Sequence, residues 1–213
     1  MAASDAPARL SAAPARALFP LAACLAVLLF LAAQVLLAGP LTRVDGHITA
    51  WLSQHRQPWL TPVMLFVSDA HQTAKLLAAT ALLAMVLAWR RQWRDLRLLA
   101  VVPAGMLLNV ALKHLFARPR PVLAEPLVQI TTFSFPSGHA VASTVFYGML
   151  CALVFVHARS RWWRGAAVCA AIAMVLLVTS SRVYLGAHYL SDVVAGAAEG
   201  LALLLLFLRW ARR

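Results

Sequence analysis

Charged side chains are scarce in this chain, and acidic ones are the scarcest. Only 12% of the 213 residues are charged, and seven Asp and Glu stand against 19 Lys and Arg. Hydrophobic residues make up 62% of the sequence, which is more than a soluble domain of this length can bury. The composition therefore excludes a soluble globular protein and indicates an integral membrane protein.

The net charge of +12 does not indicate a nucleic-acid partner. Nucleic-acid binding uses a basic patch on one face of a domain, whereas the basic residues here form short clusters between apolar runs. Cysteine is also rare, and its three positions lack the spacing of a metal site or a disulfide framework. Cys24, Cys151 and Cys169 all lie within apolar runs, so we interpret them as packing residues.

Six apolar runs are long enough, or nearly so, to cross a bilayer as helices. They cover residues 17–42, 73–89, 98–116, 137–156, 165–180 and 189–208. We expect residues 1–16 to form a short cytoplasmic tail and residues 17–213 to form a single six-helix membrane domain. The first run could instead be a cleaved signal peptide, but it is longer than a signal core and the topology needs this helix.

The segment between the first and second runs has a different pattern. Four apolar residues share one helical face, and Asp45 lies on another side; the four are Val44, Ile48, Trp51 and Leu52. Pro58 separates them from a second short apolar piece at residues 59–67. We predict one or two amphipathic helices at the membrane surface rather than a long loop, because tryptophans of this segment suit the interface. The predicted fold is thus an all-α polytopic membrane helix bundle with six transmembrane helices and these interfacial helices.

Lys and Arg are distributed unequally between the two ends of the apolar runs. Six spans place both termini and the loops at residues 90–97 and 157–164 on one side of the membrane, and that side is the more basic. It carries Arg9, Arg16, Arg90, Arg91, Arg94, Arg97, Arg159, Arg161, Arg164, Arg209, Arg212 and Arg213. By the positive-inside bias this side is cytoplasmic, and the opposite helix ends face the exterior.

The sequence S-R-V-Y-L-G-A-H-Y-L-S-D at residues 181–192 places Arg182, His188 and Asp192 just before an apolar run. His188 and Asp192 are four residues apart, so on a helix they would share one face. A carboxylate there can accept the Nδ1–H of the imidazole and leave Nε2 as a free lone pair. The pattern predicts a nucleophilic histidine, with Arg182 close enough to neutralise the anion that it attacks.

A second stretch, K-H-L-F-A-R-P-R-P, begins at Lys113, at the end of a predicted span. Arg120 lies between Pro119 and Pro121, which stiffen the chain and favour an extended backbone. The planar guanidinium suits two oxygens of a phosphate group. Taken alone, such basic residues could simply mark the edge of the membrane.

A third stretch, Pro136-Ser137-Gly138-His139, begins the next span. Proline and serine at a helix start leave backbone N–H groups free, and glycine lets an anion approach them closely. His139 follows one turn inside. Alone, this pattern is more often structural, but three such stretches on one predicted face favour a phosphate site.

In order and spacing, the three stretches resemble the signature of the type 2 phosphatidic acid phosphatase superfamily. This family includes membrane lipid phosphatases and shares its site with the vanadium-dependent haloperoxidases. The resemblance implies that His188 is the nucleophile and forms a phosphohistidine, that Asp192 orients it, and that His139 protonates the leaving oxygen and then activates water. It also implies a set of groups that hold the non-bridging oxygens: Lys113, Arg120, Ser137, Gly138 and Arg182.

The expected activity is hydrolysis of a lipid phosphomonoester or pyrophosphate at the outer membrane face. The family's substrates include phosphatidic acid, phosphatidylglycerol phosphate, isoprenoid pyrophosphates such as undecaprenyl pyrophosphate, and lipid A phosphates. We expect no metal and no cofactor, because no carboxylate-rich cage accompanies the motifs. Two histidines in opposite protonation states predict a bell-shaped pH–rate profile. A bacterial cytoplasmic (inner) membrane, with the site facing the periplasm or exterior, is the expected location.

Two alternatives remain open from the sequence. A phosphotransferase could pass the phosphoryl group from the same histidine to a second lipid, and a non-catalytic lipid-binding protein could retain the site without turnover. Binding alone would need the cations but not two histidines and a carboxylate, which argues against the second alternative. Glu199, inside the last predicted span, fits no motif; we expect a hydrogen-bonded glutamate that faces neighbouring helices.

Overall fold

The structure, a computed structural model, describes residues 12–210. Within this range the chain forms nine α-helices and no strand. Their bounds are α1 Ala12–Leu36, α2 Pro40–Gln54, α3 Leu60–Ala70, α4 Thr73–Trp89, α5 Trp93–Leu99, α6 Val101–Phe116, α7 Gly138–His157, α8 Arg161–Tyr184 and α9 Leu190–Trp210. The predicted all-α architecture is confirmed.

Five helical segments within the described residues are long and apolar enough to cross a membrane. They are Leu18–Leu36, Trp93–Phe116, Gly138–His157, Arg161–Tyr184 and Leu190–Trp210. The pair formed by α3 and α4 meets the same criterion as a unit, although it is bent by 48° at its break. Counting this bent pair as one span gives the six crossings that the apolar runs predict.

The first span is shifted relative to its prediction. Its helix begins at Ala12, so the last part of the predicted tail is helical, while residues 1–11 of that tail lie outside the described residues. The helix ends at Leu36 rather than at Thr42, because Ala38 adopts a left-handed backbone (φ 47°). Pro40 then starts α2, as proline favours the first helical position.

The basic segment at residues 90–97 was predicted as a loop, and this is wrong for its second half. Helix α5 begins at Trp93 and leads through Ala100 directly into α6. Asp95 on α5 is buried and lies 2.7 Å from His157 Nε2 at the end of α7. This pairing explains why a charged segment packs as a helix against the C-terminal end of α7.

The segment predicted to be interfacial forms two helices, α2 and α3, as the sequence allowed, although α3 is also the first half of the bent pair that meets the membrane criterion. On α2, Ile48 and Leu52 pack against a buried cluster that includes Val183 of α8 and Val193 of α9. The periodicity predicts that Asp45 lies on a different side of α2 from these apolar residues. Asp45 is only 4% exposed, so α2 is buried on more than its apolar stripe.

Helix α7 lies at the centre of the bundle, and the main core forms around it. Its fully buried side chains pack against α6 and α9. Helices α7 and α9 approach each other closely at two glycines of α9, spaced four residues apart. A Cβ added at Gly196 would lie 2.6 Å from the Ser137 carbonyl oxygen, and one at Gly200 would lie 2.9 Å from Thr144 Cβ. Small residues at this spacing allow close helix contact in membranes.

Candidate active site

The structure places all eight residues of the three motifs at one end of the helix bundle. The ends of α6 and α8, the starts of α7 and α9, and two connections supply them. Lys113 is in the last turn of α6, Arg120 in the following connection, Ser137 at the N-cap of α7, Gly138 and His139 in its first turn, Arg182 in the last turn of α8, His188 in the α8–α9 connection and Asp192 in the first turn of α9.

The spacing predicts that His188 and Asp192 stack on one face of a helix, and this is wrong. His188 lies two residues before α9 begins at Leu190. The two side chains nevertheless meet, with His188 Nδ1 3.4 Å from Asp192 Oδ2. Helix α9 begins at Leu190, so Asp192 is in its first turn and its carboxylate faces the α8–α9 connection that contains His188. The contact is therefore made, but by a helix start rather than by helical stacking.

Two further groups hold the Asp192 carboxylate beside the imidazole. The Ser134 hydroxyl donates to Asp192 Oδ2 and lies 3.4 Å from His188 Nδ1. The backbone N–H of Tyr189 donates to the same Oδ2 at 2.9 Å. Asp192 is fully buried, so these bonds replace the water that the carboxylate would otherwise bind.

The tautomer of His188 follows from its contact with Arg120. Arg120 Nη1 lies 3.2 Å from His188 Nε2, and a guanidinium can only donate. Nε2 is therefore the acceptor and carries the lone pair, while the proton is on Nδ1, which faces Asp192. Burial lowers the pKa of His188 to about 3, with Asp192 opposing and Arg120 adding to the effect, so the ring is neutral at pH 7.

Arg120 is held by backbone carbonyl groups as well as by the imidazole. Its Nη1 donates to the Ala187 carbonyl oxygen at 2.6 Å, and its Nε donates to the Thr132 carbonyl oxygen at 2.6 Å. Burial lowers the pKa of Arg120, and the negative charge of Asp192 opposes this. The contacts fix the guanidinium plane against His188 Nε2, and a planar guanidinium in this position can donate two hydrogen bonds to a phosphate.

Lys113 reaches the same connection from α6. Its Nζ donates to the Phe133 carbonyl oxygen at 2.5 Å and lies 3.5 Å from the Ser134 carbonyl oxygen. A Cβ added at Gly138 would lie 3.8 Å from Lys113 Cε and 3.2 Å from Asn109 Oδ1. Glycine thus keeps the first turn of α7 open beside the lysine.

Ser137 has an unusual environment for an N-cap residue. It makes no side-chain cap hydrogen bond, and its buried hydroxyl oxygen has no hydrogen-bond partner among the described residues. Its backbone N–H instead donates to the Asp192 carbonyl oxygen at 3.0 Å. An unpartnered hydroxyl at a helix N-terminus fits an oxygen of a bound anion.

Helix α3 contributes a residue that the motifs do not contain. Ser68 accepts a hydrogen bond from Arg182 Nη1 through its hydroxyl, and its carbonyl oxygen lies 3.2 Å from His139 Nε2. Ser68 is 6% exposed and Arg182 is 2% exposed. One residue of α3 therefore contacts both the predicted acid–base histidine and a predicted phosphate ligand.

Sequence reasoning also missed Arg118, two residues before the motif arginine. Its guanidinium is buried and bridges two carboxylates, at 2.6 Å from Asp192 Oδ1 and 2.9 Å from Asp45 Oδ2. The available signal was the rarity of acidic residues, which makes each intramembrane or interfacial one a candidate for a specific contact. Periodicity alone identifies Asp45 only as a polar position on an amphipathic helix.

Glu199 is buried below the first turn of α7, as expected for a hydrogen-bonded glutamate. Its Oε2 accepts from Asn109 Nδ2 at 3.2 Å, and Asn109 also reaches the Pro136 carbonyl oxygen at 3.3 Å. The second oxygen, Oε1, has no partner among the described residues. Glu199 thus supports the loop that precedes Ser137 through Asn109, and it makes no hydrogen bond to a motif side chain among the described residues.

A membrane helix bundle with two histidines, a carboxylate and three cations at one end belongs to the class of membrane phosphatases. The sequence model of the PAP2 superfamily matches residues 94–213, and the chain belongs to this superfamily, as the three motifs predicted. The match begins within α5 and includes every motif residue.

Two proteins with similar sequences agree with this assignment. The chain is 36% identical to phosphatidylglycerophosphatase B of Bacillus subtilis over 154 residues, which cover 71% of this chain and 75% of that protein. It is 26% identical to the putative undecaprenyl-diphosphatase YbjG of Escherichia coli over 148 residues, covering 68% and 70% of the two chains.

Solved structures share the fold. The crystal structure of a PAP2-type phosphatidylglycerolphosphate phosphatase from Bacillus subtilis superposes with a TM-score of 0.84 at 30% identity, covering 91% of this chain and 96% of that one. Aquifex aeolicus LpxE superposes with a TM-score of 0.59 at 20% identity, covering 76% and 93%. The second likeness concerns the fold alone.

Proposed function

We propose that the protein hydrolyses a phosphomonoester or pyrophosphate of a membrane lipid through a phosphohistidine at His188. The observation that carries this proposal is the 3.2 Å contact between His188 Nε2 and Arg120 Nη1. It brings a phosphate-binding cation to the lone pair that would attack phosphorus. In this proposal the incoming phosphate draws the guanidinium from the nitrogen to its own oxygens and leaves the lone pair free.

The first chemical step forms a bond between His188 Nε2 and phosphorus and breaks the bond between phosphorus and the bridging oxygen. The imidazole becomes positively charged, and Asp192 at 3.4 Å from Nδ1 stabilises that charge. Lys113, Arg120 and Arg182 compensate the charge on the phosphoryl oxygens. Phosphoryl transfer depends mainly on such positioning and charge compensation.

His139 would protonate the leaving oxygen. A histidine cation has two N–H groups, and the contact of Nε2 with the Ser68 carbonyl oxygen uses one of them. The other remains for the leaving group. In the second step the neutral His139 takes a proton from water, which attacks the phosphohistidine and releases phosphate.

A lipid substrate is supported by the surroundings of the site and by its relatives. An apolar cavity of about 560 Å³ lies between the interfacial helices and the outer ends of α8 and α9. Its lining includes Val183 and Val193, the sequence neighbours of Arg182 and Asp192. Relatives named for phosphatidylglycerophosphate and undecaprenyl pyrophosphate provide the first substrates to test. We place the site on the outer face of a bacterial cytoplasmic membrane, with both termini in the cytoplasm, because of the positive-inside bias.

The test is phosphate release by the purified protein in detergent across a small panel. The panel contains phosphatidylglycerol phosphate, undecaprenyl pyrophosphate, phosphatidic acid and the water-soluble headgroup analogue of each. We expect higher kcat/KM for the lipids than for the analogues, and equal efficiency would refute lipid specificity. Addition of a second lipid alcohol distinguishes hydrolysis from transfer, since a transferase would form an acceptor-dependent phospholipid.

His188→Asn is the decisive variant, with His47→Asn as its matched control, since His47 is exposed on α2. We expect His188→Asn to lower kcat on the order of 10⁴-fold and to prevent trapping of a phosphoenzyme by acid quench. The His47→Asn control should keep the wild-type kcat and should still form a phosphoenzyme that acid quench can trap. A His188→Asn protein with near-normal turnover would disprove the nucleophile assignment.

A further inference from the structure

A buried ion cluster extends from the Asp192 carboxylate to the interfacial helix α2. Arg118 Nη1 lies 2.6 Å from Asp192 Oδ1, and its Nη2 lies 2.9 Å from Asp45 Oδ2. Asp45, Arg118 and Asp192 are 4%, 7% and 0% exposed. At this depth an ion pair is retained only if its geometry and charges are well matched.

The cluster has an excess of one negative charge. Two carboxylates share a single guanidinium, and the neutral His188 adds no charge. When Nε2 attacks phosphorus, the imidazole becomes a cation next to Asp192. The excess negative charge is then matched, because the new positive charge forms at the end of the cluster that faces the substrate.

Asp45 has a second contact that positions the carboxylate. The backbone N–H of Ser191 donates to Asp45 Oδ1 at 3.0 Å, and the Ser191 hydroxyl donates to Asp45 Oδ2. Ser191 is the second residue of α9, so this N–H has no partner within the helix. An aspartate from α2 thus caps the helix whose first turn carries Asp192.

Without Asp45, Arg118 would weaken the function of Asp192. A lone guanidinium at 2.6 Å would pair fully with that carboxylate and repel an imidazolium on its other side. With Asp45 present, Arg118 is shared between two anions. Asp192 then keeps its negative charge available to His188 while its position stays fixed by the guanidinium.

We propose that Arg118 and Asp45 are positioning residues for phosphoryl transfer: Arg118 fixes Asp192 against His188, and Asp45 offsets the charge of Arg118 and caps α9. The inference rests on the proposed phosphohistidine mechanism. It also makes the interfacial helix part of the catalytic apparatus, since the placement of α2 determines the placement of the carboxylate behind the nucleophile.

The test compares Asp45→Asn, Arg118→Met and the double variant for kcat, KM, phosphoenzyme formation and thermal unfolding. Each single variant should lower kcat, Arg118→Met on the order of 10²-fold, while KM stays within a factor of about three, because the phosphate-binding cations are intact. Asp69→Asn is the matched control, because Asp69 is an exposed aspartate on α3 whose partners are the exposed side chains of Lys75 and Gln72. It should keep wild-type kcat.

The double variant separates a charge role from simple packing. Arg118→Met alone leaves two buried carboxylates facing each other, so one of them takes a proton and Asp192 loses part of its charge. Asp45→Asn in the same protein removes this competition, and we expect kcat to recover about tenfold relative to Arg118→Met. A double variant with kcat equal to or below that of Arg118→Met would overturn the proposal.

Two measurements keep the outcome clear. If Arg118→Met does not fold, Arg118→Lys takes its place, because lysine retains the positive charge but cannot bridge both carboxylates with a planar fork. We expect Arg118→Lys to fold and to have a lowered kcat and an unchanged KM. A wild-type kcat in this variant would overturn the proposal. Wild-type protein and His188→Asn are assayed in parallel. Loss of phosphoenzyme in His188→Asn alone, with wild-type kcat in both single variants, would retain the proposed function and reject this inference.

Discussion

Ser137 donates its backbone N–H to the carbonyl oxygen of Asp192 at 3.0 Å. This bond joins the N-terminus of α7, where the predicted phosphate-binding motif begins, to the first turn of α9, which carries the carboxylate beside His188, the proposed nucleophile. The approach is possible because residue 196 of α9 has no side chain. The relative position of two motifs separated by more than fifty residues therefore depends on the packing of α7 against α9.

Gly196→Ala should disrupt this arrangement. The added Cβ would lie 2.6 Å from the Ser137 carbonyl oxygen and 2.9 Å from Ala140 Cβ, so α7 and α9 must separate. We expect a loss of about 1–3 kcal/mol in unfolding free energy and a decrease of roughly 10²-fold in kcat/KM. Thermal unfolding and phosphate release measure the two effects.

Gly165→Ala provides the matched control for that substitution. Gly165 lies in α8, and a Cβ added there meets no atom within 4 Å. Its activity should equal that of the wild-type protein, and alanine should favour the helix slightly. Equal activity in both variants would show that the α7–α9 contact does not position the motifs.

The protonation state of His188 gives a second prediction. Burial lowers its pKa to about 3, against about 6.5 for an ordinary histidine. Because the pKa is depressed, the folded protein keeps a neutral His188 as the pH falls from 8 to 5. The unfolded chain takes up a proton at this histidine below about pH 6.5, so the free energy of unfolding decreases as the pH falls below that value. The His188 ring resonance in ¹³C NMR, assigned with His188→Asn, should not titrate between pH 8 and 5.

A titration midpoint near 6.5 for that resonance would contradict the prediction. The same result would bear on kinetics, since the acid limb of kcat/KM in the free enzyme could then arise from protonation of His188, the proposed nucleophile. With the lowered pKa, a loss of activity between pH 7 and 5 must come from another group or from the phosphate of the substrate, whose second pKa is near 6.

Much of the fold was predictable because apolar runs and bilayer thickness determine where helices begin and end. The placement of Lys113, Arg182 and Asp192 at one end of the bundle followed from topology alone. The contact between His188 and Asp192 was also predicted, although through the wrong local structure. A spacing of four residues fits either a helix or a turn that leads into a helix, and the sequence does not distinguish them.

The pairing of Arg118 with Asp45 could not be predicted in the same way. The two residues are 73 positions apart in sequence, and neither periodicity nor motif spacing reports contacts at that separation. Ser68 was missed for the same reason, since its partners lie in α7 and α8. What the sequence does report is rarity: among seven acidic residues, a buried one has few alternative partners.

The proposed metal independence leads to a third prediction. In the proposed site Lys113, Arg120 and Arg182 would supply the positive charge around the phosphate, so a divalent cation would have no charge to compensate there. Among the residues that the structure describes, no three or more His, Cys, Asp or Glu side chains are grouped as a metal site would require. Phosphate release should be unchanged in excess EDTA and should not rise when Mg²⁺ is restored. A loss of activity that Mg²⁺ or Zn²⁺ reverses would contradict it.

Ser68 provides the last prediction, because its two contacts can be separated by one substitution. Ser68→Ala removes the hydroxyl that accepts from Arg182 Nη1 but retains the carbonyl oxygen that faces His139 Nε2 at 3.2 Å. Arg182 also has an Nε atom without a partner among the described residues, so the variant leaves its guanidinium poorly held.

We therefore expect Ser68→Ala to lower kcat/KM by about tenfold, near the lower range for a lost hydrogen bond to a charged group. Most of the change should appear as a higher KM, because Arg182 is assigned to phosphate binding, and the alkaline limb of the pH–rate profile should not move. Ser53→Ala is the control, since that hydroxyl lies on α2 away from the site and, within the described residues, bonds only to the Ala50 carbonyl oxygen. A shifted alkaline limb with unchanged KM would instead mean that Ser68 acts through His139 and that Arg182 is positioned without it.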